Sequence, residues 1–209
     1  MKKIIKTVSL LFASLMLLTA CSENTTPELN KQYSELPNDI SSLIKQPVVE
    51  VFSLTCGHCL KMEEFIPEIE QGIGQSIGKV HVTFNESAQA AAMFYYAAAM
   101  QSPDGKPDQE MMASLFDAYH SKEELTSDQR QQNLINAYHN KGMVSPYDLT
   151  DAQKQTLFAE VTNAVDITGK GMINSVPTFV VNGKYMVITS AHDDIQSIVN
   201  TINYLTSKG

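Results

Sequence analysis

Pro47-Val48-Val49-Glu50-Val51-Phe52-Ser53-Leu54-Thr55-Cys56-Gly57-His58-Cys59 is the stretch on which the reading of this chain turns. Its first eight residues are rich in β-branched and aromatic side chains, with apolar residues on both faces of the alternation, which predicts a strand buried in the middle of a sheet. The cysteines follow at once. Beyond them Met62, Ile66, Ile69 and Ile73 recur three and four residues apart, so a helix starts at the cysteine motif. Pro67 lies inside that pattern and removes one backbone donor, which predicts a bend in the helix and not its end. Lys79-Val80-His81-Val82-Thr83-Phe84 supplies a second strand and completes a strand-helix-strand unit with parallel pairing.

From Ser87 to about Thr168 the pattern turns helical. An alanine-rich run at 88–100 is followed by apolar stripes at Met112, Leu115, Phe116 and Tyr119, at Leu134 and Tyr138, and at Leu157, Phe158, Val161 and Val165. About four helices are expected, with Ser87 capping the first and Thr150 with Gln153 forming a capping box for the last. Met93, Met100 and Met112 fall at spacings suited to a core. Strand chemistry returns in Val176-Pro177-Thr178-Phe179-Val180-Val181-Asn182-Gly183-Lys184-Tyr185-Met186-Val187, where Asn-Gly between apolar runs marks a hairpin. A closing helix is expected from about Ala191 to Leu205, carrying Ile195, Ile198, Val199 and Ile202.

The opposite end of the chain reads as an address. Lys2, Lys3 and Lys6 precede an apolar run from Val8 to Leu18 that is too short to span a bilayer, the layout of a secretory leader over residues 1–20. Leu18-Thr19-Ala20-Cys21 resembles a lipoprotein cleavage site, which would lipidate Cys21 and leave it as the first residue; an ordinary secretory signal remains the other reading. Either exports the chain. Ser22 after the lipidated cysteine fits sorting to the outer membrane, although the sequence leaves inner against outer open. Residues 21–30 read as the lipidated terminus and a polar linker. Without the leader the chain keeps 12 basic against 23 acidic residues, a net −11, which argues against nucleic acid as a partner.

With Cys21 committed to lipid, Cys56 and Cys59 have only each other, in a compartment where disulfides form. Cysteines three apart at a helix start lie about one turn from each other, with Cβ atoms roughly 5 to 6 Å apart. Cys59 shares the stripe of Met62 and Ile66 and should face the core, while Cys56 sits on the first turn and can face solvent. That assigns Cys56 as attacking thiol and Cys59 as resolving thiol. The open amides and positive dipole end of the helix favour a thiolate at Cys56, and His58 can add positive charge beside it. A structural disulfide this close would shut almost no loop. Haem attachment would require histidine where Leu60 stands. A zinc site lacks ligands, since His81, His120, His139 and His192 are scattered, so neither metal nor cofactor is expected.

Strand, paired cysteines, helix, strand, and much later Val176-Pro177-Thr178 before a hairpin and a closing helix resemble the thioredoxin superfamily. The resemblance implies an α/β thioredoxin-like fold with a cis Pro177 beside the cysteines, and with Val176 and Thr178 contacting an extended substrate strand. The long helical insertion, together with Glu50-Val51-Phe52-Ser53-Leu54-Thr55-Cys56 and Phe179-Val180-Val181-Asn182-Gly183-Lys184-Tyr185, is similar to the DsbA family of dithiol oxidases. It implies thioredoxin-like parts at 31–86 and 169–209 around an inserted helical subdomain at 87–168. It also implies that Glu50 and Lys79 handle the proton of the inner cysteine. Independently, a carboxylate inside Val48-Val49-Glu50-Val51-Phe52 is costly to bury without a partner; the competing reading is an exposed glutamate near a strand edge. The dipeptide Gly57-His58 departs from the proline-histidine of the best known DsbA proteins and resembles that of protein disulfide isomerases, which leaves oxidising strength open.

The expected function is a monomeric, periplasm-facing thiol-disulfide oxidoreductase that passes the Cys56-Cys59 disulfide to reduced exported polypeptides and is reoxidised by a DsbB-like membrane partner. Two rivals stand beside it: an exported reductase or isomerase, and a lipoprotein using the fold as a binding or chaperone module.

Overall fold

The computed structural model describes residues 26–209. The expected leader, Cys21 and the first part of the linker lie outside the described residues. The end of that linker is already folded, because Glu28 O accepts from both Lys31 N and Gln32 N and so turns the chain into β1 (Tyr33–Glu35).

Five strands form one sheet in the order β1-β5-β4-β2-β3, with β2 (Val48–Phe52), β3 (Gly78–His81), β4 (Thr178–Val181) and β5 (Tyr185–Val187). Every residue of β2 is buried, as its unbroken apolar run requires of a strand covered on both faces. β2 pairs parallel with β3 and antiparallel with β4, while β5 pairs antiparallel with β4 and with β1. Asn182 and Gly183 both take positive φ, 54° and 66°, which makes the β4–β5 connection the tight turn that Asn-Gly favours.

On one side α2 (Ile66–Ile73) packs against α7 (Ile195–Lys208), and Ile69, Ile198, Ile202 and Leu205 meet Val48, Phe179 and Val181 in a buried cluster. On the other, α3 (Glu86–Ala99), α4 (Gln109–His120), α5 (Ser127–Asn140) and α6 (Asp151–Lys170) share one buried cluster with Val49, Val51, Val80 and Val180, with α5 packed on α4. Full burial of each such side chain contributes about 1.5–3 kcal/mol.

The structure departs from the sequence reading in a few places, each with a local cause. The helix that starts at the cysteines divides into α1 (Gly57–Glu63) and α2, so a break stands just before Pro67, which lies in the first turn of α2, where a bend within one helix was expected. The two intervening residues keep right-handed helical backbone, but proline cannot donate to the carbonyl four residues back. Asn85, not Ser87, caps α3, its side chain accepting from Ala88 N at 2.9 Å. On α6 the buried face runs through Leu157, Ala164, Ile167 and Thr168, which turns Phe158 and Val165 outward, 72% and 48% exposed. Met93 is likewise exposed, whereas Met112 is core. The Thr150–Gln153 capping box forms as expected, and a second one, Thr126–Gln129, starts α5. Among the described residues no helix is long and apolar enough to cross a membrane.

Candidate active site

β2 ends at Phe52, and the next three residues are fixed in place by their own side chains and by two imidazoles. Ser53 Oγ accepts from Thr55 N at 3.2 Å, and Ser53 O accepts from Cys56 N at 3.1 Å. Leu54 N donates to His81 Nε2, and Leu54 O pairs with His120 Nε2, both at 2.8 Å. The strand end is therefore pinned from β3 on one side and from the last residue of α4 on the other. Cys56 then takes extended backbone, φ −100° and ψ 115°, and caps α1.

The outer cysteine is half-buried and the inner one wholly buried, and both are free thiols. Cys59 N donates to Cys56 Sγ at 3.3 Å, so the sulfur occupies the place a serine or aspartate oxygen takes at a helix start. A charge-assisted bond of this kind is stronger to a thiolate than to a thiol. Cys56 Sγ also donates to Val176 O at 3.7 Å, which brings the segment leading into β4 against the cysteine across 120 residues of chain. Burial, with the Cys56 side chain adding to it, pushes the Cys59 thiol far up from its ordinary value. The two sulfurs are thus unequal: one is reachable, and the other is held neutral below it.

The Val176-Pro177 peptide is cis. Val176 and Pro177 are half-buried, whereas Thr178 is 3% exposed and its hydroxyl donates to Val187 O at 2.6 Å, away from the surface. Thr178 lies in the ladder opposite Val51, and its side chain faces the interior. His58 and Gly57 are exposed on the first turn of α1. A Cβ added at Gly57 would meet only His120 Cε1, at 4.0 Å, so the residue preceding His58 is open to solvent except on the α4 side.

Glu50 is fully buried, and the alternative of an exposed glutamate is overturned. The parallel register sets Glu50 directly opposite Lys79, whose Nζ lies 2.5 Å from Glu50 Oε2 and also bonds Glu63 Oε2. Glu50 Oε1 has no hydrogen-bond partner. Burial raises the Glu50 carboxyl above its ordinary range against the pull of the Lys79 charge. Burial by itself would lower Lys79, but Glu50 and Glu63 outweigh it and hold the ammonium above its usual value. Lys79 keeps its charge, because Glu63 pairs with it whether or not Glu50 carries a proton. The arrangement is a buried carboxyl that can hold a proton, joined through Lys79 to Glu63, whose side chain is 17% exposed.

The sequence reading brings Cys56, Gly57, His58, Cys59, Val176, Pro177, Glu50 and Lys79 together here, and Cys21 lies outside the described residues. It misses Glu63, His81 and His120. Glu63 stands four residues after Cys59 and therefore on the same helix face, a spacing that could have revealed it. His81 follows Lys79 by two on β3. Nothing in the sequence connects His120 with Leu54, 66 residues away. Among the described residues no group of three or more His, Cys, Asp or Glu side chains converges as metal ligands would.

A family model described as Thioredoxin matches residues 45–201. No curated protein sequence matches the chain. Among solved structures the fold is similar to DsbL of Salmonella enterica serovar Typhimurium, with 22% identity, a TM-score of 0.67, and coverage of 88% of this chain and 100% of that one. It is similar to the oxidoreductase DsbA of Xylella fastidiosa, with 23% identity, a TM-score of 0.64, and coverage of 87% and 97%. It is also similar to a DsbA of Proteus mirabilis solved with a non-covalently bound peptide, with 18% identity, a TM-score of 0.60, and coverage of 87% and 98%. At these identities the likeness is one of fold.

Proposed function

The chain belongs to the thioredoxin family, and from that premise we propose that it is an exported thiol-disulfide oxidoreductase that introduces disulfides into other exported polypeptides through a mixed disulfide on Cys56. The observation that carries this reading is the inequality of the two sulfurs: Cys56 at the open helix start beside Val176 O, and Cys59 buried beneath it as a neutral thiol.

In the oxidised protein a substrate thiolate attacks Cys56 Sγ. A bond forms between the two sulfurs, the Cys56–Cys59 bond breaks, and its electron pair leaves with Cys59. That thiolate is costly in a buried place and takes a proton, for which the carboxyl of Glu50 is the available donor. A second substrate thiolate then attacks the substrate sulfur of the mixed disulfide, the substrate disulfide closes, and Cys56 leaves as a thiolate stabilised by the Cys59 amide. Two electrons have passed from substrate to protein, and a membrane partner that accepts them restores the disulfide. Val176, two residues ahead of β4, offers the backbone against which an extended peptide lies, the mode of strand addition. The peptide bound to the Proteus mirabilis DsbA is support for such an occupant.

Export and anchoring through Cys21 belong to the same reading, supported by the basic and apolar leader at 1–20. Labelled fatty acid is expected in the wild-type protein and absent from Cys21→Ser.

The deciding experiment is equilibration of the protein with glutathione buffers, read by trapping the thiols of Cys56 and Cys59. A potential of roughly −120 to −180 mV supports the oxidase. A value of roughly −250 mV or below transfers the assignment to a reductase, the direction that the Gly57-His58 dipeptide would favour. A pair that exchanges with nothing overturns the enzyme altogether.

A further inference from the structure

The charges around Glu50 do not balance within its own cluster. Glu50 and Glu63 set two carboxylates against the single ammonium of Lys79, with side chains 0%, 17% and 1% exposed. An excess of negative charge in so closed a space favours keeping a proton on Glu50 over releasing it. A second cation stands nearby, on the connection between α3 and α4. Lys106 Nζ donates to Glu70 Oε1 at 2.7 Å, to Ser76 Oγ at 3.2 Å and to Ile77 O at 3.3 Å, which fastens that connection across to α2 and to the entry of β3. Lys106 and Lys79 line the same two hollows. One is a cleft of about 510 Å³ that also touches Glu63, Glu70, Asp104 and Asp108, and the other is a cavity of about 190 Å³ beside Tyr95 and Tyr96 with Lys45, Asp104 and Glu160 on its wall. Of the groups on the cleft wall, Glu63 is already bonded to the buried ammonium, so the cleft is where the Glu50 cluster meets solvent. The Lys106 charge also draws the Glu50 carboxyl toward ionisation.

We propose that Lys106 is a positioning residue of the Glu50–Lys79–Glu63 cluster: it carries a second cation from the inserted helices to the cleft through which that cluster exchanges protons with solvent. The inference rests on the exchange chemistry proposed above. When the Cys56–Cys59 bond opens, the electron pair leaves on Cys59, and the Glu50 carboxyl gives Cys59 its proton. The Glu50 carboxylate regains a proton from water on the Glu63 side. Glu50 serves in both directions only while its two forms are comparable in free energy. Lys106 offsets the surplus negative charge that would otherwise leave the proton stranded on Glu50.

The test uses the full exported chain as wild type, Lys106→Met and Lys106→Arg, with two readouts: the titration of the isotope-labelled Glu50 carboxyl, and the pH profile of the reaction of the oxidised protein with glutathione. Lys106→Met is expected to move the Glu50 midpoint up and the profile toward alkaline pH in step, and Lys106→Arg to keep both at wild type. A Lys106→Met midpoint within about 0.2 unit of wild type, in a protein with unchanged near-ultraviolet dichroism, overturns the proposal. So does failure of arginine to restore it, since a purely structural lysine would alter melting temperature and leave the titration alone. Should Lys106→Met not fold, Lys106→Gln removes the same charge and is expected to move the midpoint in the same direction; no movement overturns the proposal. A wild-type protein inert to glutathione fails the functional reading, whereas normal exchange with an unmoved titration fails only the role of Lys106.

Discussion

The Cys59 amide donates to the Cys56 sulfur at 3.3 Å, so the outer cysteine caps the very helix whose next turn carries the inner one out of contact with solvent. Burial holds Cys59 as a thiol, and the first prediction follows from that. In Cys56→Ser, no thiolate absorbance from Cys59 is expected up to roughly pH 10. Cys59→Ser is expected to accumulate a mixed disulfide when mixed with glutathione disulfide, Cys56 Sγ attacking one sulfur and glutathione thiolate leaving, because the inner sulfur that would release the adduct is gone; mass spectrometry reads the adduct directly.

Glu50 and Lys79 are expected to respond oppositely when substituted. Lys79→Met leaves a carboxylate without its ammonium in a closed site, and a loss on the order of 3 kcal/mol is expected from urea unfolding. Glu50→Gln leaves Lys79 its Glu63 partner and removes a group whose folded-state carboxyl is raised above 4.5. A raised carboxyl favours the fold below its unfolded value and costs stability as pH rises above it, so the gain from glutamine should be absent in acid and present at neutral pH. The same variant should slow the protonation of Cys59 on the order of 10²-fold in rapid-mixing kinetics.

His81 makes the protein sensitive to acid. Its Nε2 accepts from Leu54 N at 2.8 Å while Nδ1 pairs with Val82 O at 2.7 Å, so the neutral ring carries its proton on Nδ1. A proton on Nε2 would face an N–H donor, and burial lowers the ring to about 4. A base with a lowered folded value is fully favourable above its unfolded value near 6.5, and its contribution is lost as pH falls toward 4. About 3 kcal/mol is at stake, to be read by urea unfolding at pH 7 and pH 4.5, and His81→Gln should flatten the dependence.

Gly183→Ala tests the hairpin that leads back from the Pro177 strand. A Cβ there would lie 2.2 Å from Ser41 N and 2.4 Å from Ser41 Cα, at a residue of φ +66°. Both the clash with backbone and the left-handed conformation oppose alanine, and a loss of about 3 kcal/mol or more is expected from denaturant unfolding.

Local pattern carried much of this. The uniform apolar run before Cys56 marks β2, the three-and-four spacing after Cys59 marks α1 and α2, and Asn182-Gly183 marks the hairpin. Where the reading slipped, two local signals competed and the neighbours decided. On α6, Phe158 and Val165 look like core, but Ala164 and Thr168 let the helix approach more closely and took the buried face. β1 went unread because three residues carry too short a pattern to distinguish a strand from a loop.

What the sequence by itself determined is the chemistry available: two cysteines one helical turn apart at a helix start, a carboxylate inside an apolar strand, and Val176-Pro177 ahead of a hairpin. Each is a local property of neighbouring residues, and the periodicity of strand and helix suffices to read it. What only the tertiary structure decided is which groups answer one another. The parallel register of β2 and β3 sets Glu50 against Lys79, α1 brings Glu63 to the same ammonium, α4 ends with His120 at the Leu54 carbonyl, and the α3–α4 connection delivers Lys106 to the cleft. These partners are set by packing across tens of residues, where no periodicity links one position to the other, so only the folded chain brings them together.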